Sequence, residues 1–377
     1  MAAKIKEKRE AYSPLTIILL IVLLLYVFTF FFLLLWGICT SFKINYDFFS
    51  WRTDRLIGDY GGYEQMLKNG IVTWTAEYER LTVLAEEALA AGNRTEYRTY
   101  SSQAAQALEQ VNGTLIPKLV KYRGIKDEMG MAGLPFYSYK YTFKVFSYEI
   151  TKSNVVKLPE MYWNSILYAG GCGLAATFVP CIAAYACARF NYRFSRIMHT
   201  TVIIVMMIPI VGSQPSEIKM TVDMKMFDTV WCLWVMRANF LGMYFLVFYD
   251  ICKALPVSFS EAAKMDGANN FQIFFKIAMP LIKNTFLTVF LIKFIAFWNE
   301  YQAPMIYTPS FPTVAMGLNQ LMSVAGGGPS TSLGIFDMTH TPSRMAAAVL
   351  TATPVCILFG CFQKRLLGNL TMGGVKG

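Results

Sequence analysis

Glu261-Ala262-Ala263-Lys264-Met265-Asp266-Gly267-Ala268 is the stretch around which this chain is organised, and a polar and aromatic run carries it on to Ile277-Ala278-Met279-Pro280. It reads as a short helix, a glycine break and a second helical segment that leads into an apolar run near Phe286. Ser258 is placed to cap the first helix with Glu261 as its reciprocal partner, Pro256 marks the turn before it, and Gly267 can take the left-handed conformation that ends it. The result is a stiff, short knob. Lys253, Lys264, Lys276 and Lys283 surround it, and between two membrane spans such an excess of positive charge predicts the cytoplasmic face.

The remaining composition requires those spans. Of 377 residues, 55% are hydrophobic and 15% charged, and several apolar runs are long enough to need a bilayer, so the chain reads as a polytopic membrane protein. The net charge of +10 lies in the tails and in loops flanking spans, which fits cytoplasmic anchoring and argues against a nucleic-acid partner. Eight cysteines lie in or beside apolar runs, with none between Cys39 and Cys172. They form no disulfide framework and no metal-ligand spacing, and read as small packing residues. No Gly-x-x-x-x-Gly-Lys-Ser/Thr phosphate loop is present, and no catalytic or metal-ligating set stands out.

Taken in order, residues 1–14 form a basic cytoplasmic tail and 15–41 a retained first span, too long for a signal-peptide core. Residues 42–160 mix charges of both signs with many tyrosines and form an extracytoplasmic insertion. Within it, Val72 to Ala91 and Arg94 to Val111 predict an antiparallel helical hairpin broken at Gly92-Asn93, with Leu81, Leu84, Ala88, Ala104, Leu108 and Val111 facing inward. The alternation from Tyr137 to Val145 predicts a strand or an extended arm. The insertion reads equally as a spacer capping the membrane domain or as a docking surface for an extracellular partner.

Residues 161–362 carry five further spans. The second covers Trp163 to Ala188, and the third starts near Met198 with a kink at Pro209. Polar residues Gln214 to Asp228 lead to the fourth, Thr229 to Tyr249, which Arg237 and Asn239 interrupt. A cytoplasmic loop at 250–283 precedes the fifth, Thr285 to Ala303, with Lys293 near its middle. A polar, Gly-rich outer loop at 304–343 precedes the sixth, Arg344 to Phe362, and 363–377 is a basic cytoplasmic tail.

The order Glu-Ala-Ala, three residues, Gly, nine residues, Ile, one residue, a hydrophobe and Pro resembles the signature loop of the permease subunits of binding-protein-dependent ABC importers, with Met279 where leucine is commoner. Asn164-Ser165, the small-residue run from Ala184 to Arg189, Trp298-Asn299 with Pro304 after it, and the ending Gly373-Gly374-Val375-Lys376-Gly377 resemble the carbohydrate-uptake group, and within it the second subunit of the maltose-permease type. The likeness covers residues 158 to 377, and more weakly 12 to 45.

The resemblance implies an all-α fold of six transmembrane helices, the type I ABC importer permease fold, in the bacterial inner (plasma) membrane with both termini cytoplasmic. It implies a permease without catalysis of its own and several partners: a homologous second permease, a pair of ATP-binding subunits that hold ATP and Mg, an extracytoplasmic solute-binding protein, and the lipid bilayer. Glu261, Ala262, Ala263, Asp266, Gly267 and Pro280 would couple to the ATPase. Gly326, Gly327, Gly328 and Pro329 would reach the binding protein.

Arg237, Asn239, Lys293, Trp298, Asn299, Glu300 and Tyr301 are candidates for the path of a sugar or oligosaccharide, including an anionic one. Intramembrane charges are costly and usually face a cavity or a partner. For Arg237 and Lys293 the alternatives are snorkelling to the interface or pairing with the second permease. Trp231, Trp234, Tyr244, Trp298 and Tyr301 have the ring faces to stack on sugars, although interface aromatics are the commoner reading of such residues. A stand-alone membrane sensor or channel is the competing functional class. It lacks support from any intracellular signalling domain.

Overall fold

The computed structural model describes residues 14–43, 60–151, 154–190, 193–208, 212–323 and 341–370. They divide into two compact units, one within Met1–Thr142 and Pro329–Val349, the other within Phe143–Gly328 and Leu350–Gly377. Both are built from helices.

In the first unit, α1 (Pro14–Ser41) exposes its apolar side chains along nearly its whole length, as a helix meant for lipid must. α2 (Tyr60–Ala90) and α3 (Arg94–Glu109) form the expected hairpin. Gly92 turns it at φ +78°, and the Asn93 side chain accepts a hydrogen bond from the Glu96 N–H at 3.3 Å. Leu81, Ala88, Ala104 and Val111 are buried as expected, and Leu84 is half-buried. Leu108, however, faces out and Ala107 fills the seam. Alanines at 104 and 107 let the two backbones close, and there is no room for the larger side chain between them.

A π-helical turn at Gln110–Leu115 links α3 to α4 (Ile116–Val145). Tyr63 and Leu67 of α2 pack there against Leu119, Tyr122, Ile125 and Leu134. The extended arm expected from Tyr137 to Val145 is instead helix. Leu134, Ser138 and Thr142 are buried at intervals of four, and the Tyr137 and Tyr141 rings stack at 6.1 Å, so period two in the aromatics overlay period four in the buried residues. Gly130, at φ +68°, marks the kink in α4 before Pro135. At the other end of α1, Ser41 and Tyr139 share a hydrogen bond while Phe42 packs on the Tyr139 ring at 5.1 Å.

The second unit opens with a two-stranded antiparallel hairpin, β1 (Ser147–Thr151) and β2 (Asn154–Lys157). α5 (Leu158–Arg189) is its central post. Ala169, Cys172 and Ala176 are buried along it, and a Cβ on Gly173 would come within 3.4 Å of the Phe294 backbone, so small residues set how closely the neighbouring helix approaches. α6 (Arg193–Met207), α7 (Gln214–Asp223), α8 (Val230–Arg237) and α9 (Met243–Ala254) follow. Next come α10 (Val257–Met265), α11 (Asn270–Ile273), a π turn at Phe274–Ala278, and α12 (Met279–Asn299). α13 (Gln302–Tyr307) and α14 (Val314–Ser323) come after it, and α15 (Thr341–Leu370) belongs to the first unit as far as Val349 and to the second from Leu350.

Among the described residues, four helical stretches are long and apolar enough to cross a membrane: Leu19–Ser41, Leu158–Arg189, Asn270–Asn299 and Thr341–Gln363. The expected third and fourth spans are present as shorter pieces. α6 has 15 residues, ~22 Å at helical rise, and the predicted kink at Pro209 lies outside the described residues. The fourth is broken between α8 and α9, with Arg237 ending one piece and Asn239 in the gap. α9 and α10 meet at a bend of 68°.

Two further expectations change. The fifth span begins far earlier than Thr285, because Asn269 and Gln272 form a capping box that starts the helix there, and it ends at Asn299. Lys293 is thus six residues from the end, ~9 Å, and not at mid-span. The stretch after 304, read as polar loop, begins with packed structure: Pro304, Tyr307, Val314 and Met316 are buried. The Asn164 side chain donates to the Pro312 carbonyl at 3.1 Å and Ser165 Oγ accepts from the Val314 N–H at 2.8 Å, so the Asn-Ser pair anchors this segment onto α5.

Candidate functional site

Two groups of residues stand apart from simple packing. The first is α10 and its surroundings. Pro256 sets the entry of α10, and no side chain caps it; Ser258 falls inside the helix, so the expected Ser258–Glu261 capping box does not form. The exit is as expected. Gly267 takes φ +81°, its N–H donates to the Lys264 carbonyl at 3.0 Å, and the Ala268 N–H donates to the Ala263 carbonyl at 2.9 Å. These two bonds make a Schellman motif, satisfying carbonyls that the helix end would leave orphaned.

Only Ala263 on this helix turns inward. Glu261, Ala262, Asp266 and Gly267 are exposed, as is Pro280 at the start of α12. The exposed set also holds apolar side chains: Val257, Phe259, Met265 at 89% and Phe271 at 77%. Alongside lies a recess of about 350 Å³ lined by Phe178, Ile182, Tyr185, Phe190, Phe271 and Phe275. Large apolar groups exposed together face either lipid or another protein. Sequence reasoning missed these aromatics, although Phe259 and Phe271 flank the motif it used.

The second group is charged. Arg237, the last residue of α8, donates from Nη2 to Glu300 Oε1 at 2.6 Å, and the Tyr168 hydroxyl of α5 donates to Glu300 Oε2 at 2.8 Å. Arg237 also sits 5.5 Å from the Phe297 ring centre. One carboxylate at the end of α12 therefore ties three helices. Lys293, one turn before Phe297, points elsewhere: its Nζ lies 4.7 Å from the centre of the Tyr244 ring on α9.

The other path candidates separate. Trp298 is 2% exposed and its Nε1 donates to the Thr351 carbonyl at 3.1 Å, which assigns it to the core. Tyr162 Oη donates at 2.8 Å to the Leu350 carbonyl, the acceptor that Pro354, lacking an N–H four residues on, leaves free. Asn299 is exposed with its amide on the Ile295 carbonyl, Asn239 is exposed in the helix break, and Tyr301 is half-buried. Gly326, Gly327, Gly328 and Pro329 lie outside the described residues. Tyr168 was not singled out from sequence, because only the fold brings it to the charges; Tyr244 was named as a stacking aromatic, but its place beside Lys293 was not.

Beyond the charged pair, Tyr307 donates to Glu217 Oε2 at 2.9 Å. Burial pushes the Tyr307 hydroxyl up to about 12, while hydrogen bonds from Ser213 and Tyr307 hold the Glu217 carboxyl below its ordinary range. Among the described residues no cluster of three or more His, Cys, Asp or Glu is placed to hold a metal.

Four long apolar helices, and a further pair of shorter ones broken after Arg237, define a multi-pass helical membrane protein. Residues 176–370 match the family described as binding-protein-dependent transport system inner membrane component, and the chain belongs to that family. It is similar to the arabinooligosaccharides transport system permease protein of Bacillus subtilis (strain 168), 27% identical over 221 residues, 58% of this chain and 74% of that one. It is also similar to the trehalose/maltose transport system permease protein of Thermococcus litoralis, 26% identical over 250 residues, covering 65% and 85%. A solved bacterial ABC transporter involved in the import of the acidic polysaccharide alginate contains a chain of the same fold, with a TM-score of 0.50 at 22% identity over 61% of this chain and 79% of that one.

Proposed function

We propose that the chain is one of two homologous permease subunits of an ATP-driven importer for a sugar or oligosaccharide. A solute-binding protein delivers the cargo from outside, and a pair of ATP-binding subunits, carrying ATP and Mg, docks on the cytoplasmic side. The saccharide assignment is supported by the relatives, whose names refer to arabinooligosaccharides and to trehalose and maltose. Both termini lie in the cytoplasm on this reading, in the inner membrane of a bacterium. The chain itself performs no hydrolysis.

The observation that carries the reading is α10: a helix closed by Gly267 that leaves Glu261, Ala262, Val257, Phe259 and Met265 uncovered. Closure of the ATPase pair on ATP pushes this helix, and the Schellman turn passes the displacement into α12. The membrane helices then exchange inward-open and outward-open arrangements as rigid bodies. Glu261 pairs with a basic residue of the ATPase, while Ala262 and Ala263 keep the surface low enough for close approach.

Gly267→Val tests it. A β-branched residue at φ +81° costs at least ~1–2 kcal/mol and displaces the turn. The expected outcome is a complex that still assembles and binds substrate but loses at least tenfold in ATP-dependent uptake. Wild-type uptake by this variant contradicts the coupling role.

A further inference from the structure

Arg237 and Lys293 stand in different electrostatic positions. Arg237 is neutralised: Glu300 holds its guanidinium and Tyr168 holds the second oxygen of that carboxylate. Lys293 has no carboxylate within ion-pair distance among the described residues. The other acid of this region, Glu217, is engaged by Tyr307. Lys293 thus lies in a helix long and apolar enough to cross the membrane, with its ammonium against the electron-rich face of Tyr244 and no ion-pair partner among the described residues.

An uncompensated ammonium in that setting is expensive and is kept where an anion meets it. Its surroundings suit a ligand. Tyr244 lies two residues into α9, directly after the break at 238–242, and a helix N-terminus adds a partial positive charge on the same side. Irregular backbone at membrane depth is tolerated where it borders a cavity or other protein. A flat aromatic ring beside the ammonium offers a stacking surface for a pyranose face next to a group that pairs with its acidic substituent.

We propose that Lys293, with Tyr244 as its floor, binds the anionic group of an acidic saccharide during import, and that Arg237 serves as a strut between α8 and α12 and not as a ligand. The proposal rests on the importer reading above. The anionic group is a carboxylate or a phosphate, which the ammonium accepts alike.

The test uses the whole complex purified from native membranes through a tag on this chain, reconstituted in vesicles with its own binding protein. ATP-dependent uptake is measured for a set of oligouronates of differing linkage, for disaccharide phosphates and for neutral oligosaccharides. The wild type is expected to take up a uronate or a phosphorylated sugar, and the arm that responds identifies the anion. Lys293→Met should lower that uptake at least tenfold, and Lys293→Arg, which keeps the charge, should retain half or more.

Uptake of neutral sugars alone by the wild type overturns the proposal, as does wild-type uptake of the anionic cargo by Lys293→Met. Failure of Lys293→Met to copurify with a second permease also overturns it, since Lys293 would then be an intersubunit ion-pair partner. None of these results touches the importer reading, which fails only if the wild-type chain copurifies with no ATP-binding subunit.

Discussion

Glu64 in the first unit and Glu300 in the second are both carboxylates gripped by cations, yet they do different work. Glu64 is met by Lys126 at 2.7 Å, Lys68 at 2.8 Å and Arg123 at 3.8 Å, on helices α2 and α4 whose surfaces carry charges of both signs. Its carboxyl is held at about 2 by the hydrogen bonds from Lys126 and then Lys68. Glu300 has one cation and one hydroxyl, among Phe297, Tyr168 and Trp298. The three cations around Glu64 are one-third to one-half exposed, so solvent screens each contact; Arg237 and Glu300 keep a similar exposure but stand among aromatic side chains at the end of an apolar helix. Number of partners is thus a poor guide to importance, and the medium decides.

The largest expected effect follows from removing the acid of the membrane pair. Glu300→Ala leaves Arg237 without its carboxylate. It should destabilise by about 2–3 kcal/mol, below the ~3–5 kcal/mol of a fully buried pair because both side chains keep some exposure. The thermal unfolding midpoint of the complex in detergent measures this. The double variant Arg237→Met/Glu300→Met should recover most of the loss, since an apolar pair replaces an ionic one at little cost. A double variant as unstable as Glu300→Ala breaks the contrast.

Glu64→Gln should cost on the order of 1 kcal/mol, because solvent screens the cluster. Its pH dependence has a definite sign. The folded pKa lies below the ordinary value of 4.5, so the contribution is complete above about 4.5 and lost as pH falls toward 2. Hydrogen exchange of α2 and α4 in the wild type should rise over that window, and Glu64→Gln should flatten the rise. Equal loss in both proteins would place acid sensitivity in other groups.

Legibility in the sequence follows the same division between local and distant causes. The turn at Gly267 and the break at Gly92-Asn93 could be read because a left-handed glycine and a capping asparagine act within a few residues of themselves. The capping box at Asn269–Gln272 was equally local, but Ser258 and Glu261 offered the same spacing nearer the motif and drew the assignment. Tyr137 to Val145 misled because alternate aromatics concealed Ser138 and Thr142, polar residues that the helix buries.

The charged site was half legible. Residue types named Arg237, Lys293 and Glu300, but which cation is neutralised depends on Arg237 meeting a carboxylate 63 residues later and on Tyr168 reaching the same group from α5. The signature loop suffices for the family, and the apolar face around it became visible only once burial was known. Trp298 shows the converse: a residue type suited to sugar stacking is committed to the Thr351 carbonyl.

The docking of α10 on an ATP-binding subunit is tested most directly by Ala262→Cys in a chain whose exposed Cys356 and Cys361 are replaced by serine. A short bifunctional thiol reagent should join the introduced thiol to the copurified ATP-binding subunit, while a membrane-impermeant maleimide added outside intact cells should leave that thiol unlabelled. Labelling from outside, or no cross-link in a complex that contains the ATPase, would contradict the account.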